Sequence, residues 1–290
     1  MALTEGVSST RAVITGMATL RLPRGAALTR ERWAGAAARL GRMDRFCALA
    51  LIAVDEALID AQLSPTDAAA WDGDRTAVVV GSAYGCHAVN EDYYRGLLMH
   101  GPAGASPRAF ALTLPSSPLG EITIHYGLHG PGSTVVSGLV AGIEALSVAL
   151  ADLRSARAVR VLVVAVDVST PLLDALVGGA PYDVAAALVL ELPEVAAARG
   201  ATPRGTLASV ALAYSTAAPA AAVQAATTQA LLQSGRRAVE DELPAAPMCD
   251  HAAGPLFALI DALSRATDEP RSMMVSVSDT EGAAAAAVFD

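Results

Sequence analysis

The apolar positions of this chain fall into two recurring patterns. Short unbroken apolar runs alternate with longer stretches in which apolar residues return every three or four positions. The first pattern marks strands buried on both faces, and the second marks helices that bury one stripe. In order, residues 11–17 predict a first buried strand and residues 29–38 a short helix capped by Thr29. A long amphipathic helix begins at Met43-Asp44-Arg45-Phe46 and ends before Pro65. Its stripe is Phe46, Leu49, Ala50, Ala53, Ala57 and Leu58, with Asp55, Glu56 and Asp60 mostly off it. Residues 75–82 read as a second buried strand, followed by the glycine-bounded turn Ala83-Tyr84-Gly85 and a helix from about 87 to 98. Residues 116–126 predict another helix. A buried strand at 134–137, a tight turn at Gly138 and a helix from 140 to about 153 come next. A continuous apolar strand at 159–166, a short helix at 172–176 and a strand at 184–192 complete a β-α-β-α-β-α-β order.

Residues 193–202 read as a connector. Beyond it lie a strand at 206–214, an Ala-rich helix at 218–233, a helix at 253–266 and strands at 272–277 and 283–289. Thr280-Glu281-Gly282 between the last two reads as a hairpin turn.

Composition narrows this picture. At 290 residues and 53% hydrophobic, the chain can build a sizeable core, but only 4% is aromatic. Ala, Val and Leu must fill that core, which suits layered α/β packing. Lys is absent, and the net charge of −9 comes without a basic block, which argues against nucleic-acid binding. Cys47, Cys86 and Cys249 form neither a metal-ligand spacing nor a disulfide framework, so no metal or cofactor is expected. The N-terminus has no basic n-region or long apolar run, and the apolar stretches are too short to span a bilayer. A cytoplasmic protein without a membrane span is expected.

The candidate chemistry centres on Gly130-Pro131-Gly132-Ser133-Thr134-Val135-Val136-Ser137-Gly138-Leu139-Val140-Ala141-Gly142. A strand that breaks sharply into a helix start presents free N–H groups and a partial positive charge. A Cys there would be a strong nucleophile. The tip here is Leu139, which has neither a nucleophilic atom nor a proton to give. Elsewhere, His87, His100, His125 and His129 show no recognisable catalytic spacing, and a lone His of this kind is more often simply hydrogen-bonded. Neither Ser82 nor Ser137 lies in a Gly-x-Ser-x-Gly elbow, and Gly81-Ser82-Ala83-Tyr84-Gly85 lacks phosphate-loop spacing.

The elbow passage resembles the active-site elbow of β-ketoacyl-acyl-carrier-protein synthases, the ketosynthases of fatty acid and polyketide assembly. Their run is Gly-Pro, a short β stretch, then Ala-Cys-small-small-Gly. Gly130-Pro131 and Gly142 match it, and Leu139 falls on the catalytic Cys. The more specific match is an ordered set of short motifs. Ser106-Pro107, an apolar stretch, Leu114-Pro115, a helix and Tyr126-Gly127-Leu128-His129-Gly130-Pro131 follow the family's order and spacing. The resemblance covers about residues 11–192 well and 206–290 loosely. It implies a thiolase-like layered αβαβα fold of the α/β class, with a complete first half at 1–192 and a reduced second half at 193–290.

It also implies what is missing. The family's first catalytic His lies in a His-Gly-Thr motif, and none occurs between Gln233 and Met248. The second stands just ahead of an Ala-Ala-Gly at a helix start. Ala252-Ala253-Gly254 matches that end, a gapless alignment places Met248 at the His position, and His251 lies three places off. Loss of the Cys is typical of the chain-length-factor subunit, where Gln is the usual replacement; Leu139 departs even from that. The expectation is a non-catalytic, chain-length-factor-like subunit of a heterodimeric β-ketoacyl-ACP synthase, in type II polyketide or aryl-polyene assembly. An active ketosynthase partner would supply the Cys and both His residues, and an acyl carrier protein would reach the complex. The resemblance places an acyl tunnel at Tyr84, Tyr93, Leu97, Phe110 and Leu112, with Tyr93 and Leu97 favoured over Tyr94 and Leu98. It places an interface at Thr134, Val135, Val136 and Ser137. Two alternatives stand beside it: a decarboxylase or hydrolase using His251 or Cys86, and a homodimeric scaffold that binds no acyl chain.

Overall fold

The first apolar run becomes a long strand because its backbone finds partners on both sides. In the structure, a computed structural model that describes residues 11–28, 43–65, 71–178, 181–243, 251–265, 271–279 and 282–290, this is β1 (Ala12–Pro23). It lies antiparallel to β5 (Tyr182–Glu191) on one side and to β6 (Gly205–Tyr214) on the other. The helix expected at 29–38 lies outside the described residues.

Asp44 starts α1 (Arg45–Asp60) by accepting a hydrogen bond from the Cys47 amide at 3.1 Å. The expected single stripe is too narrow a description. Phe46 to Val54 are all buried, and so is Asp55, which accepts a hydrogen bond from the Tyr126 hydroxyl. The reason is a second layer: α1 packs on the sheet, and the helix ending at Tyr126 covers its other side. The following elements hold to expectation within a residue or two. They are β2 (Thr76–Ser82), α2 (His87–His100), a short α3 (Pro107–Ala111), α4 (Ser117–Tyr126), β3 (Gly132–Val136), α5 (Ala141–Arg154), β4 (Arg160–Asp167) and α6 (Pro171–Val177). After β5 the connector folds into α7 (Pro193–Ala198), with Pro193 in its first turn. Then come β6, α8 (Pro219–Ser234), β7 (Asp241–Leu243), α9 (Gly254–Arg265), β8 (Met273–Ser278) and β9 (Ala283–Phe289). The three-residue β7 was not anticipated, because its sequence is Asp-Glu-Leu and it forms only by pairing with β8.

All nine strands form one sheet in the order β3-β2-β4-β5-β1-β6-β9-β8-β7. The order reads outward from the β1–β6 pair in two similar arms. From β1, β5 and β4 follow antiparallel and β2 joins parallel to β4. From β6, β9 and β8 follow antiparallel and β7 joins parallel to β8. Only the first arm extends to a further strand, β3; the described residues hold no counterpart in the second.

Because side chains alternate across a strand, each arm buries two faces. Ala77, Val79, Val161 and Val163 of the first arm, and Val275, Ala285 and Ala287 of the second, enclose α5 and α9 in one central core. The opposite face of the first arm, including Val78, Val80, Leu162 and Val164, packs under α1 and α4. That of the second packs Met274, Ala284 and Ala286 under Ala222, Ala226 and Ala230 of α8. The result is the αβαβα layering of a thiolase-like ketosynthase fold. Ala-rich strands and helices let layers with few aromatics approach closely.

A buried ion network closes the first arm. Glu191 at the end of β5 is fully buried and accepts hydrogen bonds from Arg160 of β4, from Arg199 just after α7 and from the Thr15 hydroxyl of β1. Burial pushes its carboxyl up, but the two guanidinium groups and the hydroxyl outweigh that and hold it below its ordinary range.

Candidate functional site

β3 leads into an elbow. The strand ends at Val136, Gly138 turns the backbone at φ +66°, and α5 begins at Ala141. A side chain at residue 138 would be strained in that left-handed conformation. Leu139 stands between turn and helix, half-buried and packed against the central core. The architecture of a nucleophile elbow is present, and its tip carries a hydrocarbon.

Three other segments meet this elbow. A Cβ at Gly142 would collide with the Ala252 carbonyl oxygen, so the lead-in to α9 lies directly against the first turn of α5. A Cβ at Gly138 would stand 3.3 Å from Asp279 Oδ2, which brings up the end of β8. The turn after β2 arrives through Asp167 at the end of β4. This carboxylate is wholly buried and joins the segments. Its Oδ1 accepts from the Ser82 hydroxyl (2.7 Å) and from the amides of Ala83 (2.9 Å) and Tyr84 (3.3 Å), while Oδ2 accepts from the Ala252 amide (2.8 Å). Burial pushes its carboxyl up; the Ser82 hydroxyl, His251 and the backbone donors oppose that. Sequence reading missed Asp167, which is one of many acids until the fold sets it opposite four donors.

Beside this junction the Tyr84 ring sits between two imidazoles, 6.2 Å from His87 and 6.5 Å from His251, each nearly perpendicular to it. His251 is buried at the lead-in to α9, and Met248 lies outside the described residues. The nucleophiles that sequence reading weighed are each occupied or shielded. Ser82 Oγ donates to Asp167 and accepts from the Gly85 amide. Cys86 is buried, burial pushes its thiol up, and the Asn90 amide lies 3.6 Å from its sulfur. A thiolate is therefore disfavoured there. Among the described residues no cluster of three or more His, Cys, Asp or Glu is placed to hold a metal ion.

One sequence expectation about the elbow needs correction. Residues 134–137 read as a buried strand, but β3 is the outer strand of its arm, paired only with β2. Thr134, Val135 and Ser137 are half-buried and Val136 is 46% exposed. The apolar run that signals burial is here an open edge. The hydroxyl oxygens of Thr134 and Ser137 are nevertheless out of water and without a hydrogen bond. Exposed apolar strand edges are normally covered.

A second open surface lies between α2 and α6. A groove of about 700 Å3 runs there, walled by Tyr94, Leu98 and Met99 of α2 and by Leu172, Leu173 and Leu176 of α6. His87, Asn90, Glu91, Arg95 and Thr170 supply its polar parts. Of the residues expected in a tunnel, Tyr93 and Phe110 pack ring against ring at 5.8 Å, and Tyr93 also meets Tyr94. Leu97 and Leu112 are half-buried, and Tyr84 lies in the His87–His251 stack. The groove wall is thus the Tyr94–Leu98 face of α2. The part played by α6 was not legible, because a short Leu-rich helix reads as core until its exposure is seen.

The family model "Beta-ketoacyl synthase, N-terminal domain" matches residues 10–177. The chain is 33% identical over 105 residues to 3-oxoacyl-[acyl-carrier-protein] synthase 2 of Staphylococcus aureus (strain N315) and 32% to its namesake in Synechocystis sp.. The Staphylococcus match covers 36% of this chain and 25% of the relative, so the chain spans about a quarter of the length of the curated relatives it matches. Among solved structures, the ishigamide ketosynthase/chain length factor superposes with a TM-score of 0.79 at 22% identity, covering 96% of this chain and 99% of that one. The AntDE:AntF complex, a type II PKS acyl-carrier protein with its ketosynthase bound to the hexaketide, gives 0.80 at 17% identity, covering 97% and 99%. At such identities these structures show the fold. The family match takes in more than half of the sequence and all of the elbow, and the chain belongs to the β-ketoacyl synthase family.

Proposed function

We propose that this chain is a non-catalytic, chain-length-factor-like subunit that pairs with an active ketosynthase and shapes the acyl tunnel of the complex, in type II polyketide or polyene assembly. The observation that carries this reading is Leu139: the elbow is built and its tip has no nucleophile. Condensation needs a thiolate to hold the acyl chain and donors to stabilise the developing oxyanion. In this reading the partner supplies the Cys and the His residues, and the acyl carrier protein is received by the complex. The chain contributes shape. The open β3 edge is the seat of the partner, and the segment from Tyr84 to Leu112 is the tunnel wall, which the apolar groove on α2 supports. The division into halves at residues 192 and 193 belongs to the same proposal.

The decisive experiment is co-expression with a Cys-containing ketosynthase encoded beside it, followed by size-exclusion chromatography and elongation assays. A heterodimer that elongates, with this chain alone inert and unlabelled by cerulenin at residues 130–142, is the expected result. Elongation or acyl hydrolysis by this chain purified alone would overturn it.

A further inference from the structure

The groove between α2 and α6 is apolar at its rim and polar inside. Leu98 and Leu176 at the rim are 84% and 74% exposed. Further in, Glu91 places one carboxylate oxygen on Arg95 and leaves Oε2 buried with no hydrogen bond. One turn earlier on the same face stands His87, whose two ring nitrogens are both out of water and neither of which completes a hydrogen bond. Burial holds this imidazole below its usual range. The Asp167 carboxylate, the nearby Gly85 carbonyl and Glu91 favour its charged form but do not outweigh that burial. A neutral imidazole offers one N–H donor and one acceptor nitrogen. Buried polar atoms in native proteins almost always have partners, so orphans clustered in one cavity point to a ligand that supplies them.

We infer that the inner end of this groove receives a hydroxyl, enol or amide group carried on an otherwise apolar chain, held between Glu91 Oε2 and the His87 ring. A hydroxyl can donate to the carboxylate and still exchange a hydrogen bond with the imidazole. A plain alkyl or polyene end would desolvate both and satisfy neither. The inference rests on the tunnel-shaping role proposed above and narrows its substrate class to chains with a hydrogen-bonding group near their far end.

The test is calorimetric titration of the purified chain with the N-acetylcysteamine thioesters of decanoic acid and of 10-hydroxydecanoic acid. The hydroxylated thioester should bind about tenfold tighter or more, the scale of one satisfied buried hydrogen bond. That preference should collapse to near unity in His87→Phe and in Glu91→Leu, each checked for a native thermal transition. If one variant fails to fold, the other decides. Equal binding of the two thioesters, binding of neither, or a preference that survives in a folded variant would overturn the inference. Failure of the subunit role reads differently: the preference would hold while no complex with a ketosynthase forms.

Discussion

At Glu191 a carboxylate is taken fully out of water and held by Arg160 and Arg199. Removing one partner of such a group leaves the others buried and uncompensated, so Glu191→Gln should lose about 3–5 kcal/mol in chemical denaturation. The pH dependence follows from the direction of its shift. A carboxyl held below its ordinary value of 4.5 contributes stability that is present above that pH and is lost as pH falls through the folded value. Stability of the wild type should therefore drop below about pH 4.5 more steeply than that of Glu191→Gln. Leu139 is the other residue whose change is informative. In Leu139→Cys a thiol would stand at the start of a 14-residue helix, where the N-terminal dipole favours the thiolate. Iodoacetamide at neutral pH should modify it faster than the buried Cys86, as peptide mapping would show. The variant should still fail to elongate an acyl chain alone, since a nucleophile without its acid–base partners completes no condensation.

At the scale of elements, β3 and α2 are the two that present apolar surface outward. Val135 packs partly on the central core while Val136 is exposed, so Val136 is the cleaner probe of the edge. Val136→Asp should leave the thermal transition within a few degrees of wild type and abolish the complex with the ketosynthase on size exclusion. A Val136→Asp protein that still assembles would remove β3 from the interface. On α2, Leu98 is so exposed that truncation to Ala should change stability by less than about 0.5 kcal/mol. If the groove belongs to the tunnel, the products of the assembled complex should lengthen in Tyr94→Ala and Leu98→Ala. Tyr93→Ala, which breaks the stack with Phe110, should act on stability more than on product length.

At the scale of the molecule, the two arms share a single core. α5 from the first and α9 from the second lie together between them, and the sheet runs unbroken through β1 and β6. A fragment of residues 1–192 would expose the inner face of α5, including Leu146, Ala149 and Leu150, together with the free edge of β1. It should express as an aggregate or bind hydrophobic dye, while the whole chain unfolds in one transition followed by circular dichroism and Trp fluorescence.

Sequence alone determined the succession of elements, because unbroken apolar runs and three-to-four-residue spacing are local signals. It also determined the elbow, since a glycine between a strand and a helix start marks a turn whichever way the chain folds, and it showed that Leu139 leaves that turn without a nucleophile. Tertiary structure alone decided which apolar runs are covered. β3 and β4 have similar apolar sequences, yet one is an open edge and the other wholly buried, because sheet order is set by pairings between strands far apart in the chain. The same holds for charge. Asp55, Asp167 and Glu191 look like ordinary surface acids in the sequence, and become buried acceptors only when distant donors are brought to them. The groove has the same origin: residues 87–98 and 172–176 are apart in sequence, and only their packing on one sheet sets His87 and Glu91 beneath an apolar rim.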